Sequence, residues 1–388
     1  MSLALLLLTG CATLSRLPAV PLAMAGEIKP LGIQKARFYP EDLGAQAEDL
    51  VRELVAKRRR HEGANFAKGA YATNHFLSIS GGGDDGAFGA GLLVGWSARG
   101  DRPTFRIVTG ISTGALSAPF VFLGPDYDDK LRKVYTDTTA DDIFVKRTIF
   151  AAVSDDAMTD STPLRNMIAG FVDTDMLRRI AEEYDKGRLL LIATTNLDQA
   201  RSVIWNIGAI AQSNDPRARD LIIEILRASA SIPGIFPPVM LDATVEGKRF
   251  EEMHVDGGAL AQAFLYPPSF NLKKVEQRLH NATKHKAYVI RNGHLHRPEA
   301  NIKKQTLAIV GETITTMTAA SGVNDTYRIY LTTQRDGVDF NLAYIDEDFG
   351  IPYSGPFDKS YMRKLFAYGY EKGKAGYQWR KTPPGYDP

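Results

Sequence analysis

Two segments of this chain each run from an apolar strand into a cluster of glycines and then into a run of small residues. That repetition restricts the fold more than any other feature. Phe76-Leu77-Ser78-Ile79-Ser80 reads as a short strand and passes directly into Gly81-Gly82-Gly83-Asp84-Asp85-Gly86, after which Ala87 to Trp96 is small and apolar, as a helix packed closely on a sheet must be. Phe105-Arg106-Ile107-Val108-Thr109 reads as a second strand, enters Gly110-Ile111-Ser112-Thr113-Gly114, and continues as helix from Ala115 up to a break near Pro119. Leu189 to Thr195 is apolar without alternation, the pattern of a strand buried on both faces. Helices are predicted over 44–61 (stripe Leu50, Val51, Leu54), 165–185, 222–230 (ended by Ile232-Pro233-Gly234) and 300–320, with further strands over 287–290, 327–332 and 338–345. Strands alternating with helices predict a three-layer α/β/α sandwich with a mostly parallel central sheet.

Composition narrows the function classes. The 388 residues are 44% hydrophobic, enough for a large core in one α/β domain. The 47 basic and 45 acidic residues leave a net charge of +2 with no basic domain, so no nucleic-acid partner is expected. The run Lys57-Arg58-Arg59-Arg60-His61 reads as the solvated end of a helix, with anionic lipid heads as the other reading. Cys11 is the single cysteine, which excludes an intrachain disulfide and a cysteine zinc cluster. It follows the apolar run Leu3-Ala4-Leu5-Leu6-Leu7-Leu8, which is too short to span a bilayer but long enough for the core of an export signal, although no Lys or Arg precedes it. Residues 12–35, rich in Pro, Ala, Gly and Leu, read as a tether.

The chemistry-bearing residues sit at the glycine clusters. Gly110-Ile111-Ser112-Thr113-Gly114 has the form G-x-S-x-G. A sharp strand-to-helix turn lifts a serine Oγ clear of the sheet, small flanking residues let the turn close, and the helix start aims N–H groups at the site. Gly81, Gly82, Gly83 and Gly86 leave backbone N–H groups unshielded, which suits an oxyanion hole. A nucleotide loop is the competing reading. It lacks the P-loop lysine, and Asp84 and Asp85 would repel a pyrophosphate. For a base, His294 and His296 read as a polar surface loop and His254, near Glu251 and Glu252, as an orienting or surface residue. The stronger candidate is Asp256 in Val255-Asp256-Gly257-Gly258-Ala259, provided that burial raises its pKa. Nothing in this scheme requires a metal or cofactor, and no H-E-x-x-H pattern occurs.

Taken together, these blocks resemble the patatin-like phospholipase family. The likeness falls on Gly81, Gly82, Gly83 and Gly86, on Gly110, Ser112 and Gly114, on Asp256-Gly257-Gly258, and on Ala228-Ser229-Ala230-Ser231-Ile232-Pro233-Gly234-Ile235-Phe236-Pro237-Pro238, in family order over roughly residues 74–260. The resemblance implies a Ser112–Asp256 dyad, an oxyanion hole from the glycine block and Thr113, and hydrolysis of phospholipid or related lipid esters through an acyl-enzyme. Lysolipids, triacylglycerols or short esters are alternative substrates, and a noncatalytic envelope module is the rival from another class. One departure stands out: the family's usual arginine before the last glycine is Asp85 here, and capping of the following helix is the expected use of the two carboxylates. Leu8-Thr9-Gly10-Cys11 likewise resembles a bacterial lipoprotein signal. That resemblance implies a signal peptide over 1–10, a tether over 11–35, a hydrolase domain over 36–388 with an extension after about 290, and a lipidated Cys11 holding the protein to a membrane. Ala12 in place of Asp favours the outer membrane of a bacterial envelope, facing the periplasm.

Overall fold

The computed structural model describes residues 16–68, 73–146, 159–279, 283–295, 302, 304–353 and 355–386. Among the described residues nine strands form the main sheet: β1 (Arg37–Phe38), β2 (Asn74–Ile79), β3 (Phe105–Gly110), β4 (Leu189–Asn196), β5 (Arg201–Asn206), β6 (Val239–Val245), β7 (Lys248–Asp256), β8 (His285–His294) and β9 (Asp339–Ile345). The order is β1-β5-β4-β3-β2-β8-β9, with the β6–β7 hairpin joined to β4. From β4 to β9 the strands run parallel, while β5, β1 and the hairpin pair antiparallel. The sheet is therefore mixed: the parallel run matches the sequence expectation, and antiparallel pairing completes the other end.

Both faces of the sheet are covered, giving an α/β/α arrangement. Leu190 and Ile192 join Leu77, Ile79 and Val108 in a core with Phe88, Leu92, Phe120 and Leu365, whereas their neighbours Leu189 and Leu191 point the other way, onto Leu50 and Ile204. On that second face Phe76, Ala287, Val289 and Phe340 meet Ile329 and Tyr330. This two-sided burial is why β4 reads as a continuous apolar run rather than an alternating one.

The small residues after the first glycine cluster have a specific use. Helix α1 (Gly44–Glu62) lies early in the chain, and α2 (Gly86–Arg99) and α3 (Thr113–Leu123) follow β2 and β3. A Cβ on Gly91 or Gly95 of α2 would fall 2.1 Å from a carbonyl oxygen of the C-terminal helix Lys359–Ala375, and one on Gly369 or Gly373 would fall 2.3 Å from a carbonyl of α2. The two helices cross in direct backbone contact.

Several sequence expectations are corrected. Residues 327–332 are not a strand but the end of a long helix. After α4 (Asp128–Thr136), α5 (Thr162–Phe171), α6 (Thr174–Asp185) and α7 (Ala218–Ser229), α8 spans Thr306–Asp336 and α9 is the Lys359–Ala375 helix. In α8, buried Gly322, Asp325, Ile329 and Thr333 recur at helical spacing, and this packing overrides the β-propensity of Tyr327, Ile329 and Tyr330. The helix expected over 165–185 is two, because the Asp173 carboxylate caps α6 by accepting from Met176 N at 2.7 Å. Pro119 does not end α3, whose buried Phe120, Val121 and Phe122 outweigh one lost hydrogen bond.

Lys57 is buried rather than solvated, with its ammonium 3.6 Å from the Tyr184 ring centroid. Residues 16–35 lie on the body rather than free of it: Arg16 pairs with Asp198 at 2.8 Å, and Val20 and Ile28 pack with Val245 and Phe250 of the hairpin. The part after residue 290 is built into the fold, because it supplies β9 and α9. Cys11 and His296 lie outside the described residues.

Candidate active site

Two strand ends bring Ser112 and Asp256 together. The parallel pairing of β3 with β4 ends at Gly110 opposite Ile192. From Thr194 onward the same edge of β4 pairs instead with β7, whose last residue, Asp256, lies opposite Thr194. Ser112 follows β3 at the turn into α3 and adopts φ 55°, ψ −125°. That conformation is costly for a residue with a Cβ and is kept only where the surroundings enforce it. They do so here: a Cβ on Gly110 would meet the Gly114 carbonyl at 2.4 Å, and one on Gly114 would meet Ile79 O at 2.2 Å. Ser112 N donates to Ser229 Oγ at 3.0 Å, and that hydroxyl donates to Ala193 O at 2.7 Å.

Asp256 is 4% exposed. Its N–H donates to Ser231 O at 2.8 Å, and its Oδ1 accepts from Gly258 N at 2.7 Å. Burial pushes the carboxyl up to about 7, opposed by the hydrogen bonds that it takes from the Ser112 side chain and the Gly258 N–H. The residues 228–231 block thus touches the backbone of both Ser112 and Asp256 through Ser229 and Ser231. Gly257 packs where a Cβ would lie 2.6 Å from Ala193 O.

The first glycine cluster lies alongside. A Cβ on Gly81 would come 3.2 Å from Ser112 Cβ, so the loop runs beside the serine. Gly81 N is engaged with Gln262 O at 2.9 Å, while the N–H groups of Gly82 and Gly83 make no backbone hydrogen bond among the described residues. Gly82 has φ 151° and Gly83 φ 59°, and a Cβ on Gly82 would lie 2.0 Å from Asn292 O. Gly86 opens α2 against Thr113, with the site of its missing Cβ 2.2 Å from Thr113 Oγ1. Thr113 opens α3, and its N–H is one of the donors that a helix start leaves without an intrahelical partner. Its hydroxyl lies 2.6 Å from Tyr135 OH, which also reaches Ser117 Oγ at 2.8 Å.

Asp84 and Asp85 do not cap α2 as expected, since no side-chain cap bond forms at its start. Asp84 instead accepts from Phe357 N at 3.0 Å, and Asp85 accepts from Tyr361 OH at 2.7 Å. The C-terminal segment holds both carboxylates. Arg291, 6% exposed, feels the charges of Asp85 and Asp325 and donates to His294 O and Ala319 O.

Three residues escaped the sequence reading. Gln262 reaches Gly258 O at 2.9 Å, and its Oε1 lies 2.6 Å from where a Gly81 Cβ would be. Asn292 ties the glycine loop down, donating from N to Ser80 Oγ and from Nδ2 to Ser80 O, and accepting from Gly89 N. Arg291 is the third. None belongs to a motif: strand pairing brings Arg291 and Asn292 to the site, and the turn after β7 brings Gln262.

His254 is fully buried rather than at the surface. Its Nδ1 lies 2.9 Å from Thr194 Oγ1 and its Nε2 3.6 Å from Glu252, and burial lowers its pKa. His294 is half-buried at the end of β8. Among the described residues no group of three His, Cys, Asp or Glu side chains is placed to hold a metal, and no helix is long and apolar enough to cross a membrane.

No curated protein sequence matches the chain. Among solved structures, VipD from Legionella pneumophila aligns over 78% of this chain and 67% of its own, at 12% identity and a TM-score of 0.39. A family model does match, over a stretch that holds Gly81, Ser112, Ser229, Asp256 and Gln262: residues 77–266 are similar to the patatin-like phospholipases.

Proposed function

We propose that this protein is a serine acyl hydrolase that cleaves carboxylic ester bonds of phospholipids or related lipids, with Ser112 as nucleophile and Asp256 as general base. The observation that carries the reading is a buried carboxyl, raised to about 7, beside the hydroxyl of a serine held at a strained strand-to-helix turn. A carboxylate of ordinary pKa would be a poor base at neutral pH, whereas one near 7 is half ionised there and basic enough to take a hydroxyl proton. In the proposed reaction Ser112 Oγ attacks the ester carbonyl as its proton passes to Asp256. The oxyanion lies on the N–H groups of Gly82, Gly83 and Thr113. The alcohol leaves with the proton held by Asp256. Water then attacks the acyl-enzyme as its proton passes to Asp256, and on collapse Asp256 returns that proton to Ser112 Oγ, which leaves as the free hydroxyl while the acid is released. In the same reading residues 1–10 are a signal peptide and Cys11 carries the lipid that holds the enzyme in a bacterial envelope, at the outer membrane.

The test is hydrolysis of a medium-chain p-nitrophenyl ester and of a fluorogenic phospholipid by wild type, Ser112→Ala and Asp256→Asn. Turnover lost in both folded variants supports the dyad, and the phospholipid rate decides the substrate class. Turnover that survives Ser112→Ala overturns the assignment.

A further inference from the structure

A cleft of about 450 Å³ opens at the opposite end of the parallel strands, where β3 and β4 begin and α3 ends. Arg102, Arg106, Lys186 and Arg188 line it, with Glu62 and Glu183 as its carboxylates. The charges there do not balance. Glu62 accepts from Arg58 at 2.7 Å and lies 3.6 Å from Arg106. Glu183 accepts from both Lys186 at 2.6 Å and Arg188 at 2.7 Å. Asp128 takes Arg102 at 3.0 Å. Five cations thus share three carboxylates.

Backbone carbonyls occupy some of the remaining donors: Leu93 O for Arg102, Lys186 O for Arg106 and Phe105 O for Arg188. Arg102 Nη2 nevertheless has no hydrogen-bond partner among the described residues, although the side chain is only 2% exposed. The repulsion registers in Arg106, which burial first, and then Arg58 and Arg188, push down to about 10 against the pull of Glu62. Three guanidinium forks lining one cleft, with a spare donor on Arg102, match the oxygens of a phosphate group. The volume falls in the range of small-molecule sites and has room for a phosphate together with an organic body.

We propose that this cleft binds the phosphate group of a soluble phosphorylated small molecule. The ligand is not the headgroup of a lipid being cleaved. Arg106 stands at the start of β3 and Ser112 just past its end, so the six-residue strand sets the two sites about 20 Å apart on opposite ends of the sheet. A bilayer that presents an ester to Ser112 lies away from Arg106.

The experiment titrates sodium tripolyphosphate, then inorganic phosphate, into the full chain by calorimetry at fixed ionic strength, and repeats both with Arg106→Gln and Lys186→Gln. Lys186 lies at the more exposed rim, so that variant keeps the test open should Arg106→Gln fail to fold. One site per chain, weakened at least tenfold in the folded variants and accompanied by a rise in the wild-type melting temperature, is the expected result. No binding, or equal affinity in wild type and variants, overturns the site. A parallel arm sediments the protein with vesicles containing phosphatidylinositol phosphates. Vesicle capture that tripolyphosphate displaces and Arg106→Gln abolishes would move the ligand to a lipid headgroup and overturn the soluble assignment. None of these readouts depends on ester turnover.

Discussion

Ser112 and Asp256 meet because both hang from one edge of a single strand. Gly110, which leads into the serine turn, pairs with Ile192 of β4, and Asp256 pairs with Thr194, two residues farther along. At about 3.3 Å per residue the two strand ends are set roughly 7 Å apart along β4. The hairpin that delivers Asp256 takes up the hydrogen-bonding edge at the point where β3 gives it up.

The raised Asp256 carboxyl has consequences of opposite sign for activity and stability. In the proposed role of base it must be ionised, so kcat/KM for a soluble ester should rise with pH and level off above about 7. For stability, the folded pKa of about 7 lies above the ordinary 3.8, so the folded state binds the proton more tightly. The stability tied to this group is therefore full below about pH 4 and is lost as the pH rises to about 7. Asp256→Asn, which removes the charge, should match wild type near pH 4 and exceed it at pH 8 by on the order of 4 kcal/mol. Urea unfolding at both pH values checks this, and equal differences at the two would count against it.

Gly82→Ala should abolish ester turnover and destabilise the fold by about 2 kcal/mol or more. The residue has φ 151°, and its new methyl would lie 2.0 Å from the Asn292 carbonyl, a backbone atom that cannot swing away. Unfolding midpoints and turnover together test it. By contrast Gly83→Ala, at φ 59° with open space around its Cβ, should cost only about 1 kcal/mol.

The crossing of α2 and α9 reverses the usual rule for glycine in helices. Ala is favoured over Gly by about 1 kcal/mol in a helix interior. At Gly95, however, the added methyl meets Tyr370 O at 2.1 Å. Gly95→Ala should therefore destabilise by about 1–3 kcal/mol, as overpacking does. A stabilised variant, measured by thermal or urea unfolding, would show that the helices can separate at no cost.

Arg37 and Glu252 form an ion pair with side chains 4% and 2% exposed. Burial alone would raise Glu252, but the His254 imidazole 3.6 Å away and the charge and hydrogen bonds of Arg37 bring it down to about 2. Because this folded pKa lies below the ordinary 4.5, the pair contributes stability above about pH 4.5 that is lost as the pH falls towards 2. Arg37→Met leaves a buried carboxylate without its cation and should cost about 3–5 kcal/mol at pH 7, less near pH 3 where Glu252 can take a proton. A cost that does not change with pH would argue against the pairing.

Much of the site was legible in the sequence because its requirements are local. The sharp strand-to-helix turn at Ser112, the proposed nucleophile, needs small residues on either side, and these stand at Gly110 and Gly114. An N–H-rich loop needs residues that accept positive φ, and these stand at Gly82 and Gly83. The apolar runs of β2, β3 and β4 marked the parallel core for the same reason, since burial on both faces acts on each residue by itself. Where two local preferences conflicted, the sequence misled: Tyr327 to Thr332 carries strand propensity, yet its burial on the sheet face follows a helical repeat.

What the sequence by itself determined, then, were the elements and the reactive types: strand, glycine turn, serine, aspartate. The tertiary structure decided the partners. Asp84 and Asp85 are held by Phe357 and Tyr361, more than 270 positions away, and not by the helix beside them. Gln262 and Asn292 reach the glycine loop only because β8 lies next to β2 and the turn after β7 folds back over Gly81. Hydrogen bonds and desolvation act through space over a few ångströms, and distance along the chain does not carry that information. For the same reason the ionisation of Asp256, on which the proposed chemistry rests, follows burial, which outweighs the opposing hydrogen bond from its sequence neighbour Gly258.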